Sequence, residues 1–317
     1  MIFFILLLQA VCILLAAPAV VGLVRQGKAR FQNRRGASVF LPYWQLLSLC
    51  RKEMTITRHS SWVFRIVPYV VLGSAVVLAL VVPTLAYGVV PASISNIFFV
   101  AAVAAVGTVF LVFGGMDTAS TFGNMGSGRE MTLSALIEPA LFLTFVSLAI
   151  GAHHFSLDGI ALWMALTPWY VGAPFVLVSV AALVLVSLAE NARYPVDNPA
   201  THLELTMVHE AMLLEYSGPY LAMLEYAAAI KLSVFLGLIA TVLVPIGMVH
   251  APFTLLNILT GVALVALKLA IGALVIATIE SLIVKMRFYR MQEYMAAAFM
   301  VAFIACIVAI VSVNNIL

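Results

Sequence analysis

The sequence predicts an all-α integral membrane protein, a bundle of about eight transmembrane helices with long cytoplasmic loops. Of its 317 residues, 64% are apolar and only 9% are charged, whereas soluble domains carry roughly 25% charged residues. The apolar runs are continuous rather than alternating, which favours helices over a β-barrel, the other structure that satisfies its backbone in lipid. The basic residues fall almost entirely into alternate loops, as expected of a chain that crosses the membrane repeatedly.

Eight segments are long and apolar enough to cross a bilayer, which takes roughly 20 predominantly apolar residues in a helix. Together they make residues 1–317 a single polytopic membrane domain. The first segment has no basic stretch before it and no small-residue cleavage motif after it, so we interpret it as a helix rather than a signal peptide. The predicted spans lie near residues 2–24, 66–87, 96–115, 132–151, 172–189, 222–247, 253–279 and 294–313.

The distribution of Lys and Arg predicts the orientation. Loops one, three, five and seven hold fourteen of the sixteen basic residues, and the even-numbered loops and both termini hold none. The other two, Lys231 and Lys268, lie inside predicted helices. Because positively charged loops stay in the cytoplasm, the odd-numbered loops are predicted to be cytoplasmic and both termini outside. The same bias accounts for the net charge of +3, so no nucleic-acid partner is predicted.

The sequence predicts no metal or nucleotide site within this chain. The three cysteines, Cys12, Cys50 and Cys306, show no Cys-x-x-Cys spacing, which argues against a disulfide framework, a zinc site or an iron–sulfur cluster. Walker A, Gly-x-Gly-x-x-Gly and His-Glu-x-x-His motifs are missing from the sequence, so nucleotide binding and zinc hydrolysis lack support. No internal repeat is evident, which counts against a secondary transporter.

Loop one, about 40 residues long, contains a predicted amphipathic helix. The run FLPYWQLLSLC (Phe40–Cys50) is rich in aromatic residues and leucine, with Tyr43, Leu46, Leu47 and Cys50 at helical spacing. Such a helix lies in the membrane interface or under another subunit. The pattern alone leaves both interpretations open.

Loop five, roughly Glu190–Pro219, is unusually long and acidic for a connection between two membrane helices. Pro195 and Pro199 are expected to end the preceding helix, and residues 201–216 are then predicted to form a helix of about four turns. Its faces would carry Glu204 with Glu215, and His202 with His209 around Glu210. Carboxylates and imidazoles at a membrane boundary can relay protons; the alternative is a solvated acidic face that balances the basic loops.

Ionisable residues also lie within or beside the predicted spans. These are Glu138 in the fourth span, Glu225 and Lys231 in the sixth, and Lys268 and Glu280 in the seventh. Charges within a bilayer are costly and usually mark ion or proton pathways. The alternative is a structural Lys–Glu pair that holds two helices together.

The segment Gly114–Pro139 combines flexible and ionisable residues. Its first half is predicted to be a loop rich in Gly, Ser and Thr on the cytoplasmic side. Arg129 and Glu130 would then open the fourth span, with Glu138 about two turns further on. These two carboxylates, on roughly adjacent faces, could pass a proton inward through water.

The motifs of loop five resemble a known family. They are Glu190, Arg193, a Pro195-x-Asp197 turn, the acidic Glu204, and the run Glu215-Tyr216-Ser217-Gly218. This long and specific combination is similar to the membrane subunit shared by complex I and the energy-converting group 4 nickel–iron hydrogenases. The resemblance covers nearly the whole chain and includes the eight-helix count.

Three segments point to the hydrogenase branch of that family, the branch of formate hydrogenlyase subunit 4 and hydrogenase component C. The run GMDTASTFGNMGSGREMTLSALIEP (115–139) resembles its Asp-Thr loop and Arg-Glu-x-Thr-Leu motif. RRGASVFLPYWQLLSLCRKE (34–53) and IESLIVKMRFYR (279–290) are similar to the same branch.

The resemblance implies a membrane-anchor and coupling subunit of a formate hydrogenlyase-like complex in a prokaryotic plasma membrane. It would link electron transfer in a docked cytoplasmic module to proton or sodium translocation, without catalysis of its own. Nickel–iron and iron–sulfur centres are expected in partner subunits and no cofactor in this chain. The implied partners are hydrogenase large and small subunits, an iron–sulfur subunit and antiporter-like membrane subunits.

Two groups of site residues follow from the motifs and the buried charges. The relay candidates are Glu130, Glu138, Glu190, Asp197, Glu204, Glu210, Glu215, Glu225, Lys231, Lys268 and Glu280. The predicted docking residues for the redox module are Arg34, Arg35, Tyr43, Asp117, Arg129 and Arg193.

Two other functions stay open at the level of sequence. In a complex I type NADH:quinone oxidoreductase, loop one and the first helix would shape a quinone site. A stand-alone ion or solute transporter is the alternative from another class, and the long, docking-like cytoplasmic loops count against it.

Overall fold

The computed structural model describes residues 2–57, 59–167, 169–197, 207–249, 254–283, 286 and 288–316. This part of the chain contains helices and two isolated β-bridges, Ala86–Val249 and Asn96–Ser156, and no strand. The helices within it are α1 (Ile2–Phe31), α2 (Leu41–Cys50), α3 (Trp62–Val81), α4 (Ile97–Asp117), α5 (Thr121–Ala152), α6 (Leu157–Leu166), α7 (Trp169–Glu190), α8 (His209–Leu213), α9 (Gly218–Leu243), α10 (Leu255–Leu282) and α11 (Phe288–Ile316).

The fold class is the predicted one, an all-α membrane bundle. Over the described residues, seven helices are long and apolar enough to cross a bilayer, namely α1, α3, α4, α5, α9, α10 and α11. Helix α7 is a further apolar helix of 22 residues. The three remaining helices, α2, α6 and α8, are 10, 10 and 5 residues long, which is too short to span about 30 Å of hydrocarbon.

The bundle is organised around α5 and α9. Helix α11 packs against α5 and α7, while α9 packs against α3, α1, α7 and α10. The largest buried cluster includes Phe145 and Leu148 of α5, Phe175 of α7 and Met295 of α11. Small residues allow this close packing, since a Cβ on Gly151 would meet the ring of Phe175 at 2.2 Å. Helix α10 packs mainly against α1, which places it at the edge of the bundle.

Two helices end earlier than predicted, because each meets a proline. The second span was predicted to run to residue 87, but α3 ends at Val81. The next residue, Val82, is extended and precedes Pro83. The sixth was predicted to reach residue 247, but α9 ends at Leu243, and Val244 precedes Pro245. A residue before proline is disfavoured in the helical region, so both helices end a few residues before the approximate predicted limits.

The predicted Gly/Ser/Thr loop before the fourth span is also wrong, because that segment is helical. Helix α5 begins at Thr121, where the Ser120 side chain accepts a hydrogen bond from the Gly123 backbone N–H. The glycines favour close approach here rather than a loop. A Cβ on Gly123 would lie 2.3 Å from the Gly115 carbonyl oxygen, and one on Gly126 would lie 2.9 Å from Ala211.

The amphipathic helix in loop one is confirmed as α2, Leu41–Cys50. It packs against α9 and α1, and the Tyr43 hydroxyl donates a hydrogen bond to the Leu15 carbonyl oxygen. The chain before α2 lies tightly on α1, where a Cβ on Gly22 would sit 2.1 Å from the Val39 carbonyl oxygen. Trp44 and Leu47 stay exposed, which fits both a helix in the membrane interface and one that lies under another subunit.

The helix predicted for residues 201–216 is shorter where the structure describes it. Residues 201–206 lie outside the described residues, and α8 spans only His209–Leu213. The chain turns after Leu213 because Tyr216 packs into a buried cluster with Phe64, their rings stacked at 4.1 Å. Glu215 therefore follows the helix instead of lying on one of its faces.

Candidate functional site

A buried ion pair lies at the centre of the candidate site. Glu190, the last residue of α7, is 2.7 Å from the Lys231 ammonium group of α9 through its Oε1 atom. The Glu190 side chain is 4% exposed and that of Lys231 is 20% exposed. Lys231 Nζ also donates a hydrogen bond to Thr108 Oγ1 on α4, at 3.4 Å. Three membrane helices thus converge on one lysine.

A cavity of about 60 Å³ lies around this pair within the bundle, and its largely apolar wall carries several ionisable groups. Such a volume accommodates several water molecules, since one water needs roughly 10–15 Å³ by this measure. Glu130, from the third turn of α5, lines the cavity and lies within electrostatic range of Glu190 and Lys231. The ionisable and polar lining residues are Ser74, Thr108, Glu130, Glu190, Asn191, His209 and Lys231.

A second cavity of about 120 Å³ lies between α1, α2, α9 and the segment after α7. Its charged lining residues are Arg25, Arg193, Asp197, Glu210 and Glu225. The two cavities share part of their wall, formed by Asn191, His209, Leu213 and Ala228. A thin partition therefore separates the loop carboxylates from the buried pair.

His209 lies in that partition at the start of α8. Its backbone N–H donates to Asp197 Oδ2 at 3.2 Å, and the Asp197 carboxylate is itself buried. The pKa of the His209 imidazole is lowered to about 4, mainly because burial disfavours its charged form; the Lys231 charge acts in the same direction, while Asp197 and Glu190 oppose it. The ring is therefore neutral near pH 7, and a neutral imidazole has one nitrogen that donates and one that accepts.

Glu210 faces the outer cavity beside His209. The pKa of its carboxyl is raised to about 7, mainly because burial disfavours the charged form; the charges of Glu225 and Asp197 act in the same direction, while Arg25 and Arg193 oppose them. A carboxyl with a pKa near 7 exchanges protons readily at physiological pH. Glu210 and His209 are thus adjacent groups, one ready to change protonation state and one held neutral.

Glu280 forms a separate charge cluster near the C-terminal end of α10. Its carboxylate is 3.3 Å from both Lys28 of α1 and Arg193, with its side chain only 2% exposed. Lys28 also lies over the Tyr194 ring, 4.3 Å from the centroid. The cluster ties α1, α10 and the segment after α7 together and leaves Glu280 fully paired.

Three other predicted relay residues, Glu138, Glu215 and Lys268, lie outside the two cavities. Glu138 is half-buried on α5, within electrostatic range of Glu190 and Lys231. Glu215 accepts a hydrogen bond from the Ser120 hydroxyl. Lys268 lies on α10 and lines neither cavity. Glu204 lies outside the described residues.

The predicted docking residues fall into two groups. Arg34 and Arg35 are exposed on the segment between α1 and α2. The other four make contacts inside the chain: Tyr43 with the Leu15 carbonyl, Asp117 with the N-terminus of α3, Arg129 with the Met207 carbonyl, and Arg193 with Glu280.

Sequence reasoning missed three residues that shape the site. Nothing in the sequence marked Thr108 or Asn191 as a site residue. Thr108 is a single hydroxyl in an apolar helix, and Asn191 follows a charged residue in a loop motif. Asn191 donates to the Ser187 carbonyl at 2.7 Å and borders both cavities. Arg25 was counted only as a basic loop residue, although it donates to Gln45 at 2.8 Å and lines the outer cavity. Within the described residues, no group of three His, Cys, Asp or Glu side chains is arranged to hold a metal ion.

The fold matches a known respiratory membrane subunit. A chain in the structure of the membrane-bound sulfane sulfur reductase, an archaeal respiratory membrane complex, superposes with a TM-score of 0.81. The match covers 97% of this chain and 99% of that one, at 18% sequence identity. At this identity the likeness shows the shared fold.

Curated relatives match almost end to end. Formate hydrogenlyase subunit 4 of Escherichia coli is 29% identical over 94% of this chain and 96% of its own length. Hydrogenase-4 component C of the same organism is 28% identical over 94% and 93%. A subunit of the NADH-quinone oxidoreductase of Syntrophobacter fumaroxidans is 24% identical over 87% and 84%. With these relatives and its apolar helices, the chain is a multi-pass membrane protein of prokaryotic type. The NADH dehydrogenase family model matches residues 3–311, and the chain therefore belongs to the NADH dehydrogenase family of membrane subunits.

Proposed function

We propose that this chain is the membrane-anchor and coupling subunit of an energy-converting hydrogenase complex of the formate hydrogenlyase kind. Both relatives with the higher identities belong by name to hydrogenase complexes, and they align over nearly their whole length. In this role the chain holds a cytoplasmic redox module and couples its electron transfer to ion movement. The nickel–iron centre and the iron–sulfur clusters reside in the hydrogenase large and small subunits and an iron–sulfur subunit, and antiporter-like subunits complete the membrane part.

The observation that carries the coupling role is the pair of cavities that share a wall at His209 and Asn191. The outer cavity holds Glu210, Asp197 and Glu225, and the inner one holds Glu130, Glu190 and Lys231. Ionisable groups lie on both sides of a partition made partly of a neutral imidazole. A proton taken up by Glu210 can pass through His209, which accepts on one nitrogen while it releases from the other.

The chemistry of the groups favours protons over sodium ions. Sodium would need a cage of several oxygen ligands, whereas the inner cavity places the Lys231 ammonium group against the carboxylate that such a cage would use. A lysine–glutamate pair instead passes protons when either partner changes its protonation state. In the predicted orientation, the outer cavity faces the cytoplasm.

The exposed basic segment between α1 and α2 supports the docking role. Arg34 and Arg35 are exposed there, beside the exposed Trp44 and Leu47 of α2. Arginine and aromatic residues are enriched in protein interfaces. The four predicted docking residues with internal contacts would act indirectly, by holding the segments that form this surface. Arg129, for example, holds the segment before α8 by its 2.8 Å hydrogen bond to the Met207 carbonyl.

A quinone-site subunit is the second candidate, and the outer cavity is the observation that bears on it. Pro18, Val21, Pro42 and Leu46 give that cavity an apolar rim, as a quinone ring requires. Its volume of about 120 Å³ is well below the 300–1,000 Å³ typical of small-molecule pockets. The cavity therefore fits water and protons better than a quinone ring.

Isolation of the intact complex from native membranes tests the proposed function. The chain should be purified in mild detergent, followed by metal analysis and mass spectrometry of the accompanying subunits. Nickel together with hydrogenase subunits is the expected result. Flavin and NADH dehydrogenase subunits without nickel would contradict the hydrogenase function and favour the quinone-site function. Isolation of the chain alone would contradict both functions.

A further inference from the structure

Lys268 lies in the middle of α10. It is 13 residues from Leu255 and 14 from Leu282, the two ends of the helix, or about 20 Å from either end at 1.5 Å per residue. The hydrocarbon core is about 30 Å thick, so Lys268 is near its midplane. Within the described residues, its ammonium group forms neither a hydrogen bond nor an ion pair.

No carboxylate of the described helices forms an ion pair with the Lys268 ammonium group. Glu280, on the same helix, is twelve residues away, about 18 Å along the axis, and is already paired with Lys28 and Arg193. Glu190 is paired with Lys231 in the inner cavity. A lysine head group at the bilayer midplane is also too deep for its four-carbon stem to reach the lipid head groups. The charge therefore needs a partner from outside this chain.

The surface beside Lys268 is free to receive that partner. The residues Leu267 and Ile271 are 55% and 53% exposed, and Leu274 and Val275 continue the exposed stripe one turn further on. Their spacing of three and four residues is that of a helix-packing seam. The opposite side of α10, including Val265 and Leu269, is buried in the cluster with α1.

We infer that the α10 face of Leu267, Lys268 and Ile271 is the docking surface for a transmembrane helix of another subunit that carries an Asp or Glu near mid-bilayer. The apolar stripe supplies the packing surface, and the unpaired ammonium group selects a carboxylate by charge complementarity. A second copy of this chain does not fit, because it would place two lysines together. The inference concerns assembly within the membrane and holds whether or not the cavities of the candidate site carry protons.

Site-specific photo-crosslinking in native membranes tests the surface with Lys268 intact. A photoreactive amino acid replaces Leu267 or Ile271, and the buried Val265 serves as the matched control position. The expected product is a cross-link to a membrane-spanning peptide of another subunit with an Asp or Glu within about one helical turn of the linked residue. Cross-links to lipid alone, or to a helix without a carboxylate at that depth, would overturn the inference.

Charge variants of the intact complex provide the second measurement. Lys268→Met is expected to reduce co-purification of the cross-linked subunit at least tenfold, while Lys268→Arg retains it. Lys268→Asp should lose that subunit as well, and exchanging the partner's carboxylate for lysine should restore it. Full retention of the subunit by Lys268→Met, or no rescue by the exchanged pair, would overturn the inference.

Discussion

Removing one or both charges of the Glu190–Lys231 pair separates a structural role from a role in proton transfer. The variants are Glu190→Gln, Lys231→Met and the double variant. Each single change leaves the other charge without its partner, in a pair separated by 2.7 Å with side chains 4% and 20% exposed. Breaking such a buried pair costs about 3–5 kcal/mol, whereas removing both charges is often neutral or stabilising.

The expected pattern therefore differs between stability and coupling. Both single variants should lower the free energy of unfolding of the detergent-solubilised complex by about 3–5 kcal/mol, and the double variant should recover most of that loss. Proton movement coupled to the redox reaction should be lost in all three, because the groups that change protonation state are gone.

The assay measures thermal stability and proton uptake by the same preparation in liposomes. Glu293→Gln is the matched control, since Glu293 is an exposed carboxylate on α11 that lines neither cavity. Full coupled proton movement in the double variant would refute the proton-transfer role and leave the pair a structural link between α7 and α9.

Three further predictions concern other parts of the molecule. The pKa of the Glu210 carboxyl is raised to about 7 from an ordinary 4.5, so between pH 4.5 and 7 the folded protein holds a proton that the unfolded chain has lost. The free energy of unfolding should therefore decline as pH rises through this range. Glu210→Gln should flatten this slope when unfolding is measured against pH. Asp117 accepts hydrogen bonds from Ser61 N and Oγ at 2.6 Å, so Asp117→Ala should cost about 0.5–2 kcal/mol and speed proteolysis before α3, with Asp117→Glu as the comparison. Gly22→Ala would place a Cβ 2.1 Å from the Val39 carbonyl oxygen, and a tightly packed backbone gives way at a cost of about 1–3 kcal/mol. Proteolysis of the segment between α1 and α2 should therefore speed up, and an unchanged cleavage rate would contradict this.

The sequence predicted the membrane helices well because hydrophobicity is a property of each segment by itself. Continuous apolar runs located eight long helices, and prolines at positions 83 and 245 explain why α3 and α9 end before the predicted limits. The helical segment from Thr121 was missed because its glycines suggested a loop. In the structure these glycines let α5 approach α4 and α8 closely, so tertiary packing outweighed the low helix propensity of glycine.

The site could be predicted only in part, since periodicity shows which residues share a face but not which helices meet. The carboxylates and the two lysines stood out as ionisable residues in an apolar chain. The sequence placed Glu225 and Lys231 on one helix and left the partner of Lys231 undefined, and the structure pairs Lys231 with Glu190 of α7. The shared wall at His209 and Asn191 likewise depends on how α8 packs beneath the helix ends.

The most direct test of proton transfer through the two cavities is the number of protons moved per electron pair by the intact complex in sealed liposomes, compared between wild type and Glu130→Gln. Glu130 lines the inner cavity and makes no ion pair within the described residues, so the substitution leaves the Glu190–Lys231 pair in place. We expect the redox module to remain bound while the proton ratio falls to near zero, with Glu293→Gln unchanged. An unaltered ratio in Glu130→Gln would contradict proton transfer through these cavities.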